Sequence, residues 1–159
     1  MNRRWILSIS AMTAAGLALL PGSAVAQQKS LKETLVGTWT LVSNQSTPAN
    51  SKGIIVFDAG GRYVEVNGDP NRPRFKSAGQ PTGEELAAAT LGHFAANFGT
   101  WSANEADKTI TRHYEVALRP NNEGTDVKYF VTVTGDELKL SGVVPSTGAK
   151  VDSVYRRAK

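Results

Sequence analysis

Eight short runs rich in β-branched and aromatic residues, nearly all bounded by turn signals, constrain this chain more than anything else in it. They are Leu35–Ser43, Gly53–Phe57, Arg62–Asn67, Phe98–Ser102, Thr109–Ala117, Val127–Val133, Glu137–Gly142 and Lys150–Arg157. The turn chemistry between them is Asp58-Ala59-Gly60-Gly61, Ala103-Asn104-Glu105, Pro120-Asn121-Asn122-Glu123-Gly124, Thr134-Gly135-Asp136 and Pro145-Ser146-Thr147-Gly148. Strands this short, joined mostly by hairpins, pair antiparallel with their sequence neighbours. An eight-stranded up-and-down barrel around a lumen is the expected fold, because closure removes the free edges; a two-sheet sandwich is the alternative that pattern alone allows.

One connection breaks the rhythm. Gly68–Gly83 carries Pro70, Pro73 and Pro81 and cannot be a regular element. Beyond it Thr82 is placed to cap a helix, with Glu85 three positions on, and Ala87, Ala88, Ala89, Ala95 and Ala96 favour helix. The expectation is one inserted helix, from about Glu84 to Ala96, between the third and fourth strands; Gln27–Glu33 forms a helical turn at most.

In the first strand, Gly37 and Trp39 fall on one face, so backbone is closely approached beside a large rigid aromatic plug. That suits the closed end of a small barrel. Gly99-Thr100-Trp101 repeats the triplet, and is read as the same packing solution used twice; the flanks do not match as a duplicated domain would.

Met1–Ala26 stands apart from this pattern. Arg3 and Arg4, an apolar run from Trp5 to Leu20, then Pro21-Gly22-Ser23 and Ala24-Val25-Ala26 give the charged, apolar, small-residue order of a signal peptide, with cleavage expected after Ala26. The run is too short for a membrane span, and an ordinary export route is favoured over a twin-arginine one. Residues 27–159 then form one domain, expected in the periplasm or outside the cell and expected to be a monomer. Losing Arg3 and Arg4 reduces 18 basic residues to 16 against 14 acidic ones, about +2, so charge gives no argument for nucleic acid. The absence of cysteine excludes disulfides, thiolate metal sites and a cysteine nucleophile.

The ordered set Leu35-Val36-Gly37-Thr38-Trp39, Gly53-Ile54-Ile55-Val56-Phe57-Asp58-Ala59-Gly60-Gly61-Arg62-Tyr63, Asn71-Arg72-Pro73-Arg74-Phe75, Phe98-Gly99-Thr100-Trp101 and Gly135-Asp136-Glu137-Leu138 resembles the bacterial lipocalin-like domain family, within the calycin barrels. The resemblance implies that Trp39 of the first strand is covered by Arg157 from the last, closing the barrel floor, with Tyr155 on the same face as Arg157. It implies a pocket rather than a reaction. The chain departs from the family's pattern at Tyr129, where an arginine is expected, and at Trp101, where a tyrosine is. Both changes make the lumen more aromatic and weaken any inherited anion-binding role.

The polar cluster with most chemical potential is Thr111, His113 and Glu115, which alternate and share one strand face. Turned inward, His113 and Glu115 form an imidazole and carboxylate pair suited to proton transfer in an isomerase, cyclase or lyase step, His113 as base and Glu115 orienting it. The opposite choice puts Ile110, Arg112, Tyr114 and Val116 inward and leaves His113 and Glu115 in solvent. The inward placement is expected, chiefly from the resemblance. Tyr63, Trp101, Tyr114, Tyr129 and Phe130 are candidates for ligand contact, as His113 and Glu115 are, and any of the aromatics serves equally as core. His93, on the expected helix, reads as a surface or capping residue. Two histidines on separate elements give no metal-ligand spacing, and no motif calls for a cofactor.

The leading expectation is therefore an exported module that binds a small hydrophobic or amphipathic molecule in its lumen, and catalysis by the His/Glu pair is the alternative. A third is a barrel filled by its own side chains, acting through its surface.

Overall fold

The computed structural model describes residues 29–76, 79–92 and 94–159; the expected signal segment and His93 lie outside the described residues. Eight strands, β1 (Gly37–Asn44), β2 (Lys52–Phe57), β3 (Arg62–Gly68), β4 (Phe94–Asn104), β5 (Thr109–Ala117), β6 (Asp126–Thr134), β7 (Glu137–Val144) and β8 (Ala149–Arg157), close into one antiparallel barrel in sequence order. The seam is the β1–β8 pairing, with Trp39 opposite Arg157 and Leu41 opposite Tyr155. Closure rules out the sandwich.

Alternation turns sequence into wall. On β3, Tyr63, Glu65 and Asn67 are buried while Arg62, Val64 and Val66 face out; on β6, Val127, Tyr129 and Val131 are buried while Lys128, Phe130 and Thr132 face out. Each large side chain taken fully into this core, such as Ile55, Phe57, Leu138 or Leu140, contributes about 1.5–3 kcal/mol by burial.

One end is shut by a short helix, α1 (Leu31–Leu35), started by a reciprocal capping box between Ser30 and Glu33. Its Leu31 and Leu35 are buried against the core, and the Leu31 amide donates to the Glu105 carboxylate. Trp39 Nε1 donates to the Leu35 carbonyl at 2.8 Å. The Arg157 guanidinium lies 4.1 Å from the Trp39 ring centre and donates to the carbonyls of Thr34 at 2.5 Å and Val36 at 3.2 Å. These are the terminal carbonyls of α1, so one side chain stacks on the strand and caps the helix.

The two Gly-x-Trp triplets solve different problems. Gly37 has φ +130°, and a Cβ there would stand 3.1 Å from an Arg157 guanidinium nitrogen. Gly99 sits at a bulge, where a Cβ would be 1.9 Å from the His113 carbonyl oxygen. One glycine makes room for a side chain, the other for a neighbouring backbone.

Several element boundaries differ from expectation. The inserted helix α2 (Gly83–Thr90) has the expected Thr82/Glu85 capping box but ends early, and Gly92 follows with φ +77°. Phe94, Ala95 and Ala96, expected as the last residues of the helix, instead open β4 by pairing with Gly68, Asn67 and Val66. Pairing with β3 overrides alanine's helix propensity. At the other end of the sheet, Leu35 belongs to α1 rather than to the first strand, because its side chain helps to close the floor.

Candidate functional site

Opposite α1 the barrel opens into a cavity of about 340 Å³. Ser46 and Thr47, Arg119 and Asn122, and Thr147, from the loops after β1, β5 and β7, stand at its rim. Phe94, Ala95, Val144 and Val151 give it apolar walls, and Glu65, Asn67, Asn97, Arg112, Tyr114 and Tyr129 form its inner end.

The inner end is one connected polar cluster. Arg112 Nη1 donates to Glu65 Oε2 at 2.7 Å, and Arg112 Nη2 donates to the hydroxyls of Tyr114 at 3.1 Å and Tyr129 at 2.5 Å. Those hydroxyls are 2.8 Å apart. Tyr155 donates to Glu65 Oε1 at 2.9 Å, and the amide nitrogens of Asn67 and Asn97 each donate to the carboxylate at 3.3 Å. The guanidinium also lies 4.2 Å from the Tyr129 ring centre and 5.0 Å from that of Tyr63. All four tyrosines of the chain surround this single ion pair.

Burial by itself would push the Glu65 carboxyl up, but the charge and hydrogen bond of Arg112, with the donors of Tyr155 and Asn97, outweigh it and hold it below the ordinary value. Burial pushes the hydroxyls of Tyr63, Tyr114 and Tyr155 above the ordinary tyrosine range. At neutral pH the cluster therefore holds a carboxylate, a guanidinium and the protonated phenols of Tyr63, Tyr114 and Tyr155, with the charges of Glu65 and Arg112 balanced.

Tyr63, Tyr114 and Tyr129 lie inside, Tyr114 and Tyr129 at the cavity and Tyr63 beneath the guanidinium. Other expected contacts are corrected. Trp101 is buried at the closed end, where Nε1 donates to the Asp58 carbonyl at 3.2 Å and the ring lies tilted by 56° against Phe57, centre to centre 4.8 Å. Phe130 is 63% exposed on the outer face of β6.

His113 and Glu115 are corrected too. Their face of β5 looks outward, with His113 Nδ1 2.7 Å from Asp126 and Glu115 in a two-pronged pair with Arg62 at 2.5 and 2.8 Å. Ile110, Arg112 and Tyr114 take the lumenal face. Opposite the Phe98–Gly99 step, β5 carries Glu115 as an extra residue, so Glu115 and Val116 both face out. Each ionisable group thereby finds a partner, and no lumenal proton-transfer step can be assigned to the His/Glu pair.

Sequence reasoning missed Glu65, Asn67 and Asn97, and named Arg112 only in the opposite choice of face. Tyr63-x-Glu65-x-Asn67 and Arg112-x-Tyr114, polar residues in phase with core aromatics, carry the signal that finds them. Among the described residues no group of three His, Asp or Glu side chains comes together to hold a metal, and no helix is long and apolar enough to cross a membrane.

Residues 36–153 match the family model of the lipocalin-like domain. Among solved structures, two asparagine variants of the fluorescent protein UnaG are similar to this chain. One is 10% identical, with 79% of this chain and 97% of that chain covered and a TM-score of 0.38. The other is also 10% identical, with coverage of 80% and 98% and a TM-score of 0.39. No curated protein matches.

Proposed function

Since the chain belongs to the lipocalin-like domain family, we propose that it is an exported binding protein, released to the periplasm or exterior after cleavage behind Ala26, that holds a small amphipathic molecule in the lumen. The observation that carries this is the composition of the cavity along its depth. A fixed polar cluster lies at the inner end, and Phe94, Ala95, Val144 and Val151 line the way out. Preset polar groups orient a ligand while apolar walls supply most of the free energy. The Arg3-Arg4 and Ala24-Val25-Ala26 segment supports export.

Native mass spectrometry of the protein purified from its host's envelope without detergent tests the reading. The expected result is a chain beginning at Gln27 with a discrete added mass that is lost on denaturation. A chain that retains Met1–Ala26 in the cytoplasm sinks the export half. A clean apo mass together with no uptake of hydrophobic probes sinks the binding half and favours a barrel that acts through its surface.

A further inference from the structure

The inner end of the cavity is already neutralised, and that restricts what can enter it. Arg112 is the cation there, and its terminal nitrogens are engaged, Nη1 by Glu65 and Nη2 by the hydroxyls of Tyr114 and Tyr129. Its Nε has no partner but is itself fully buried. An incoming carboxylate would meet a compensated guanidinium beside the fixed negative charge of Glu65. An incoming ammonium would find that carboxylate already receiving Arg112, Tyr155, Asn67 and Asn97. Either ion would give up its hydration without gaining a counter-charge. A neutral group loses far less, and the Tyr114 and Tyr129 hydroxyls, bonded to each other and to Arg112, together keep one free O–H and one free acceptor site, with either oxygen able to be the donor. Among the described lining residues the remaining charge is Arg119, at the exposed rim.

We infer that the lumen selects amphipathic molecules whose buried head is uncharged and hydrogen-bonding, such as a carboxamide or an alcohol, and rejects their acid and amine counterparts. This rests on the lumen being a binding site, as proposed above. The selectivity resides in Glu65: without its charge, Arg112 becomes an anion receptor.

Decanamide, decanol, decanoate and decylammonium share a tail and differ in the head, so calorimetric titration of the host-processed protein with each at neutral pH isolates the head. The amide and the alcohol are expected to bind at least about tenfold more tightly than either ion, a difference of about 1.4 kcal/mol. In Glu65→Gln the order is expected to reverse, with decanoate overtaking decanamide.

Decanoate matching decanamide in the unaltered protein would overturn the inference, because the tail would then occupy the inner end with the carboxylate at Arg119. An unchanged order in a folded Glu65→Gln would overturn it as well. Should that variant not fold, the comparison in the unaltered protein decides alone. Binding of none of the four would remove the lumen as a site for amphipathic molecules, a failure distinguishable from wrong selectivity.

Discussion

Glu65 and Arg112 meet at 2.7 Å although β4 separates their strands in the barrel wall. Their side chains are 10% and 3% exposed, so the pair bridges the lumen and fixes β3 relative to β5 beyond what the ladder hydrogen bonds require. A desolvated pair of this kind is costly to break from one side and much less costly to replace whole.

Arg112→Met is therefore expected to lose about 3–5 kcal/mol, since it leaves the Glu65 carboxylate buried without its counter-charge. Glu65→Leu combined with Arg112→Met should lose clearly less than the sum of the single changes. Urea unfolding of the four proteins measures the coupling, and simple additivity would show that the pair contributes nothing as a pair.

The same carboxylate sets an acid limit. Because its folded value lies below the ordinary 4.5, its contribution is complete above that value and is lost as pH falls through the folded value. Unfolding free energy should therefore fall below about pH 4.5, and Glu65→Gln should flatten part of that fall. Equal acid slopes in the two proteins would place the loss elsewhere.

Arg157→Ala removes the stack on Trp39 and the two carbonyl bonds to α1, at an expected cost of about 2–3 kcal/mol. Hydrogen exchange should quicken first in Leu31–Leu35 and at the Trp39 indole. Ligand affinity should be nearly unchanged, because the cavity opens at the other end of the barrel. Loss of binding in a variant that remains folded would contradict this division of labour.

Glycines separate by what surrounds them. Gly99→Ala forces a Cβ to within 1.9 Å of the His113 carbonyl and is expected to cost at least about 3 kcal/mol or prevent closure. Gly83→Ala, in the first turn of α2 with nothing within 4 Å, should be neutral or stabilise by up to about 1 kcal/mol. Thermal melts of the two variants give the order directly.

The barrel is legible in the sequence because turn chemistry and alternation are local, and the strands so marked pair with their sequence neighbours. The start of β4 is not legible, because Phe94, Ala95 and Ala96 read as helix until Gly68, Asn67 and Val66 are beside them. The face of β5 is hidden for another reason. Both faces carry ionisable residues, Arg112 on one and His113 with Glu115 on the other, and the bulge at Glu115 interrupts the alternation that would separate them. Glu65 looks like a surface residue until a cation two strands away accounts for it.

The seam carries a consequence for how the chain comes to be folded. β1 is the first strand made and β8 the last, and the floor needs Trp39 and Arg157 together. A growing chain thus holds every ingredient of its wall except the one that joins the ends, and its two edges stay open until β8 has been made. A polypeptide interrupted before β8 is made keeps both edges of its sheet unpaired and has no Arg157 to seat on Trp39.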